Sequence, residues 1–400
     1  MSLRGVAAVV GVAERAPTRY TGDETILELL SGVAVDAARD AGFPLSQIDG
    51  LVVHPIGGLP GFVPATVAEF IGLQPTFAEV VDLGGATGAG MVWRAAAAIQ
   101  AGLCSTCLCL TGTRRRKRPA SETARSDSPR KLRSIRPSHD RSPQAEFDYP
   151  YGMIGANVGY AMLANRYTHE YGLTAEQRAK VAVDQRTNAN ANPAAIFHDQ
   201  PLTIADVLAS EVICAPLHML EIVMPAAGAA ALLVTSAERA VDARQPPAWI
   251  LGAGESVTHS SFARAPALDS TGIGIAARAA MAQAGVAPSE FGLASLYDCY
   301  TIMVLLTLEA AGFCQRGEAG AFVESHNLTF AGDFPLNTHG GQLSFGQPGM
   351  AGGMSHVTEA VRQIQGRGGK RQVANLELAY AHGNGGIIAE QVGLVFGANR

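Results

Sequence analysis

Apolar residues in this chain fall into two alternating patterns. Short unbroken runs, GVAAVVGVAE (5–14), IDGLVVHPI (48–56), AEVVDLG (78–84), CLCLTG (107–112) and ALLVTS (231–236), have the length and punctuation of buried strands. Between them, ETILELLSGVAVDAARDAG, ATVAEFIGL and GMVWRAAAAIQAG repeat their apolar positions every three or four residues, as amphipathic helices do. Strand alternating with helix predicts an α/β fold around a mostly buried sheet. The Pro-containing stretch VDARQPPAWILGAGE marks a boundary, after which the alternation starts again. The strand AWILGAGE, the helix GIGIAARAAMAQAG, the strand LASLYDCY, the helix TIMVLLTLEAAG and a final pair around QVANLELAYAHG and GGIIAEQVGLVFG follow in order. Two lobes are expected, residues 1–243 and 244–400, and their parallel layout suggests an old duplication. Residues 149–216 read as mostly helical, so 113–216 is expected to be an insertion in the first lobe, a basic loop followed by a helical cap.

Composition narrows the function classes. At 400 residues the chain exceeds the size at which one core usually stops growing, and 48% hydrophobic against 16% charged residues excludes a disordered scaffold. The net charge of −5 argues against a nucleic-acid binder. No stretch approaches the roughly 18 apolar residues that cross a bilayer. The opening MSLRGVAAVVGVAE is broken by Glu14 and reads as a first strand rather than a secretory signal, so a cytoplasmic protein is expected. Of the six cysteines, Cys104, Cys107 and Cys109 crowd into CSTCLC; with no second CxxC or His pair at metal spacing, they read as buried strand residues.

Charge is uneven. Residues 114–141 hold eleven Lys or Arg against three acids, about +8, which leaves about −13 for the remainder. Two readings stay open for this stretch: a solvated mobile loop, or a flap beginning with Arg114, Arg115, Arg116 and Lys117 that attracts the phosphates of an anionic carrier such as coenzyme A. The run VDLGGATGAGMVWRAAAAIQA (81–101) poses a different question. It turns from strand to helix through Gly85, Ala86, Thr87 and Gly88, lacks the Gly-Lys pair of a P-loop and does not fit GxGxxG. A helix N-terminus with free backbone N–H groups would suit a partial negative charge.

That corner, together with RYTHEYGLTAEQRAKVAVDQRTNANANP, SEVICAPLHMLEIVMPAAGAAALLVTSAERA, SLYDCYTIMVLLTLEAAGF and FPLNTHGGQLSFGQPGMAGGMSHVTEAVRQIQG, resembles the thiolase superfamily over nearly the whole chain, specifically its sterol-carrier-protein-x or lipid-transfer-protein type. The resemblance implies two similar βαβαβαββ lobes in a five-layered αβαβα arrangement, a twofold dimer, and action on acyl-CoA thioesters with no tightly bound cofactor or metal. Thiolase chemistry itself is not implied. The nucleophilic cysteine of the family falls at Gly85, its carbonyl-polarising histidine at Tyr297 within Tyr297-Asp298-Cys299-Tyr300, and its activating histidine at Gln347. Where the family has a late cysteine, AYAHGNGG has His382 nearest.

The same exchange of cysteine and first histidine marks the thiolase-like aldolases of steroid side-chain degradation, which cleave a β-hydroxyacyl-CoA without an acyl-enzyme. On that resemblance Tyr297 is the expected acid/base. Gln347, His382, His339 and Tyr300 are expected to position the hydroxyl or stabilise the enolate, and Gly85, Ala86, Thr87, Gly88, Asn384 and Gly385 to form the substrate corner. The absent side chain at Gly85 is expected to leave room for a substituent on the substrate β-carbon. In that branch a tyrosine is expected where Gln347 stands. Members work with a small zinc-ribbon/OB-fold partner, so a heterotetramer is expected. Two other readings remain open: a non-catalytic CoA-thioester-binding subunit, and an acyltransferase with relocated catalytic residues.

Overall fold

The computed structural model describes residues 3–59, 61–117, 142–267 and 271–400. The first half runs β1 (Ala7–Thr18), α1 (Ile26–Ala41), β2 (Gly50–Val53), α2 (Val63–Ile71), β3 (Phe77–Val80), α3 (Thr87–Gln100) and β4 (Thr106–Thr113). After the basic stretch come α4 (Pro143–Phe147), α5 (Ala156–Tyr171), α6 (Ala175–Asn190), α7 (Ile204–Ala209), the short strands β5 (Val212–Cys214) and β6 (Leu217–His218), β7 (Ala227–Ser236) and α8 (Ala237–Ala240). The second half holds β8 (Ala248–Val257), α9 (Thr271–Ala284), β9 (Leu293–Ser295), α10 (Thr301–Ala310), α11 (Ala319–Ser325), α12 (Gly341–Ser344), α13 (Met350–Ile364), β10 (Leu378–Gly385) and β11 (Glu390–Gly397).

Nine strands form one sheet in the order β3-β2-β4-β7-β1-β8-β11-β10-β9. In the first half β1, β7 and β4 are antiparallel neighbours and β2 lies parallel outside β4. In the second half β8, β11 and β10 repeat that pattern, with β9 parallel outside β10. The halves join where β1 runs antiparallel to β8, Ala8 opposite Trp249 and Val9 opposite Ala248. Helices α3 and α13 pack on each other and on strands of both halves, while α1 covers β1, β7 and β4 and α9 covers β8 and β11. The order of layers is thus α, β, α, β, α, the thiolase arrangement.

Local signals explain the element boundaries. Thr25 and Glu28 form a capping box at the start of α1, and Gly42 closes it in the left-handed conformation. Thr174 and Gln177 do the same for α6. The run LASLYDCY, expected to be strand throughout, is a strand only to Ser295. The Asn337 side chain accepts from Leu296 N and donates to Leu296 O, taking over the bonds a neighbouring strand would have made. Residues 296–300 are thereby freed to form a turn. Cys104, Cys107 and Cys109 are buried and free; Cys107 and Cys109 lie in β4 as expected, whereas Cys104 precedes the strand. Residues 118–141 of the basic stretch lie outside the described residues. Among the described residues, no helix is long and apolar enough to cross a membrane.

Helix α6 is held by a buried ion pair. Arg178 Nε on α6 donates to Glu221 Oε1 at 2.9 Å, and the same carboxylate accepts from Thr301 Oγ1 at the start of α10 and from His218 N. Removing one partner of a fully buried pair leaves the other uncompensated. Glu221→Ala should therefore destabilise the chain by about 3–5 kcal/mol, read as a lower urea midpoint.

Candidate active site

Tyr297 lies on the turn that leaves β9, 4% exposed, with its hydroxyl aimed at the start of α3. A Cβ built on Gly85 would stand 2.1 Å from that hydroxyl and 2.5 Å from the Asn384 carbonyl. The space that a nucleophilic side chain would use is thus already filled by the phenol. This corrects the expectation that Gly85 leaves room for a substrate substituent: a side chain is absent there because Tyr297 occupies its place.

The rest of the corner is also more enclosed than a free helix N-terminus. Thr87 is buried and its Oγ1 accepts from Leu83 N at 2.9 Å. A Cβ on Gly88 would lie 2.7 Å from Met354 Cα, and one on Gly353 only 1.8 Å from Gly85 O. Ala86 and Gly88 are buried too, and Gly85 is half-buried. These small residues let α3 and α13 approach at backbone distance. Gly385 and Asn384 pack on residues 83–85, so the expected substrate corner does assemble in space.

Gln347, half-buried, reaches Tyr297 with its Nε2 3.5 Å from the hydroxyl, a long contact. Burial is the main force on Tyr297: it raises the phenol pKa above its usual range. Cys299 raises it further, while the Gln347 and Gln342 amides pull the other way. The phenol is protonated at neutral pH, a hydrogen-bond donor rather than a resident base. Tyr300 is engaged by other residues. Its ring stacks on Tyr160 at 4.2 Å, its hydroxyl donates to Asn157, and burial raises its pKa as well.

His382 and His339 turn away from Tyr297 in their bonding. Tyr160 OH donates to Gly386 O, which can only accept, and this fixes the direction of a chain. Asn384 Nδ2 donates to Tyr160, Gln391 Nε2 to Asn384 Oδ1, and His382 Nε2 therefore donates to Gln391 Oε1 at 2.9 Å. Burial lowers the His382 pKa to about 3 against the pull of Gln391. His339 Nε2 lies 3.3 Å from Ser355 Oγ, which itself donates to Gly352 O, so that imidazole is a donor too. Burial, then neighbouring His356, holds His339 well below the usual range. Both are neutral, and the Nδ1 of each is buried without a hydrogen-bond partner.

A group that the sequence reading passed over sits beneath Tyr297. His356, fully buried on α13, has its Nε2 3.0 Å from Asp298 Oδ1 and 3.2 Å from Gln342 Nε2, and its Nδ1 3.3 Å from Ser295 Oγ. Asp298 also accepts from the backbone N–H groups of Gln342 and Leu343. In MAGGMSHVTEAV a histidine among apolar positions reads as core, and only the fold brings it under the tyrosine. At the rim, Thr113 Oγ1 would lie 2.2 Å from a Cβ on Gly349, and Arg115 donates to Pro225 O while Pro225 bridges Gln347. Arg115 is therefore linked through Pro225 to Gln347.

A conserved-domain description, thiolase C-terminal domain-like, matches residues 254–398. The chain is 33% identical to a steroid side-chain-cleaving aldolase of Thermomonospora curvata, covering 100% of this chain and 99% of that one. It is 31% identical to the 17-hydroxy-3-oxo-4-pregnene-20-carboxyl-CoA lyase of Mycobacterium tuberculosis, covering 91% and 92%. A solved structure titled Ltp2-ChsH2(DUF35) aldolase superposes with a TM-score of 0.86 at 31% identity, over 100% of both chains. The chain belongs to the thiolase superfamily, in the group that holds the steroid side-chain aldolases.

Two measurements check this geometry. Gly85→Ala should displace Tyr297, cost about 1–3 kcal/mol by overpacking, and fail to create a thiolase. Because the folded pKa of His382 lies below its unfolded value near 6.5, its contribution to stability is complete above pH 6.5 and is lost as pH falls toward about 3. His382→Gln should remove roughly one proton's slope, about 1.4 kcal/mol per pH unit at full effect, from the acid limb of stability followed by urea midpoints.

Proposed function

We propose that this chain is a thiolase-like carbon–carbon lyase that cleaves a β-hydroxyacyl-CoA to a ketone or aldehyde and a shorter acyl-CoA by a retro-aldol reaction. The observation that carries it is Tyr297 standing in the place of the thiolase nucleophile: the thiol on which a thiolase forms its acyl-enzyme is absent, and a proton-transferring group occupies the reacting position. Similarity over the full length to aldolases and a CoA lyase supports the same reading.

The reaction moves one proton from the β-hydroxyl to Cα while the Cα–Cβ electron pair passes into the thioester as an enolate. A buried phenol with a raised pKa performs this best by exchange: Tyr297 gives its own proton to Cα and takes the β-hydroxyl proton, so no free tyrosinate builds up. Gln347 steadies the phenol oxygen, and donors of the Gly85–Gly88 and Asn384–Gly385 corner face the thioester oxygen. His339 and His382, neutral and bonded elsewhere, keep that corner in shape. Arg114, Arg115, Arg116 and Lys117 at the rim attract the phosphates of coenzyme A, which enters as part of the substrate.

The same reading takes residues 1–243 and 244–400 as the two lobes and 113–216 as the insertion. It places the protein in the cytoplasm, where CoA thioesters are found, and makes it a homodimer, since among the described residues the outer edge of β3 has no neighbouring strand. A small DUF35-type partner completing a heterotetramer is part of the reading, because the similar solved structure carries ChsH2(DUF35) in its title.

Tyr297→Phe should lower release of acetyl- or propionyl-CoA from a β-hydroxyacyl-CoA by at least about 100-fold, measured by chromatography of the CoA products. Full activity in that variant would remove Tyr297 from the mechanism. A wild-type chain that cleaves no such thioester, alone or with its co-purifying partner, would favour the non-catalytic subunit.

A further inference from the structure

We propose that His356 is a positioning residue that fixes the Tyr297 hydroxyl by clamping Ser295 and Asp298, on either side of it. The proposal rests on the role given to Tyr297 above. The clamp is visible in the spacing of its contacts. Nδ1 of the imidazole meets Ser295 Oγ, the last residue of β9, and Nε2 meets Asp298 Oδ1, three positions later. Tyr297 lies between those two anchors, and its ring stands 5.9 Å from the imidazole, tilted by 45°.

Asp298 carries the hold further. Its Oδ1 also accepts from Gln342 N at 2.8 Å and its Oδ2 from Leu343 N at 3.1 Å, so the carboxylate fastens the start of α12 to the turn. Those acceptor bonds set the tautomer: Nε2 of His356 donates to Asp298, and Nδ1 accepts from Ser295. The Gln342 side chain lies beside the same imidazole, its Nε2 3.2 Å from His356 Nε2, and is one of the two amides that act on the Tyr297 phenol. A single imidazole on α13 thus links β9, the catalytic turn and α12, with Ser295, Asp298, Gln342 and His356 all buried.

An apolar side chain would fill this place at lower desolvation cost if only packing were needed. What an apolar residue cannot do is hold Ser295 and Asp298 at a set separation, and a shift of about 1 Å in the reacting group can cost about 100-fold in rate.

The test compares His356→Asn and Ser295→Ala with the unaltered chain, using kcat and KM on a β-hydroxyacyl-CoA and the NMR resonance of tyrosine labelled with carbon-13 at Cζ, assigned by its loss in Tyr297→Phe. His356→Asn is expected to lower kcat by about 10- to 100-fold with KM within about threefold. The Tyr297 resonance should shift or broaden while that of Tyr380 stays in place. In His356→Gly, added imidazole should restore part of kcat. An unchanged Tyr297 resonance with kcat within about twofold of the unaltered chain overturns the proposal. Should His356→Asn fail to fold, Ser295→Ala decides on the same two readouts, with loss of one anchor expected to lower kcat by about three- to tenfold. If the unaltered chain cleaves no thioester, the lyase reading falls, and the resonance comparison still decides whether His356 sets Tyr297.

Discussion

The approach of α3 to α13 at backbone distance is the constraint from which the site follows. Gly85 O lies where a Cβ on Gly353 would be, and Gly88 meets Met354 in the same way. Any larger side chain at these positions would separate the helices, and with them the two halves of the sheet, whose strands pack on both. Beside that contact the Tyr297 phenol occupies the space above Gly85. The loss of a nucleophile and the gain of a buried phenol are therefore a single steric event.

Burial then decides what the side chains around the site can do. The histidines with resolved shifts that line this region are pushed toward the neutral form and the tyrosines toward the protonated form, so the interior carries few mobile charges. The carboxylate of Asp298 is the exception in kind: it is compensated by two backbone N–H groups and an imidazole. A similar compensation at Glu221 ties α6 to α10. These two buried acids thus fasten separate segments of chain, Asp298 at the site and Glu221 beside α6.

Such an environment favours proton exchange over ion formation. An acyl-enzyme reaction would need a thiolate and an imidazolium, both costly in this interior. Retro-aldol cleavage needs one proton moved and one enolate held, and neutral donors suffice for that. The identity of the relatives and the physical character of the interior point to the same chemistry.

The sequence by itself determined the order of strands and helices, the second start after VDARQPPAWILGAGE, and, through resemblance, the exchanges at Gly85, Tyr297 and Gln347. These are legible because periodicity and motif positions are local properties of the chain. Only the tertiary structure decided how the exchanges relate. That Tyr297 fills the space of Gly85 depends on residues more than two hundred positions apart. The end of β9 at Ser295 depends on Asn337, and the turn's anchor on His356, whose apolar neighbours disguise it as core. That His382 bonds Gln391 and Tyr300 bonds Asn157 was likewise decided by the fold, because hydrogen-bond partners are groups that sequence does not place side by side.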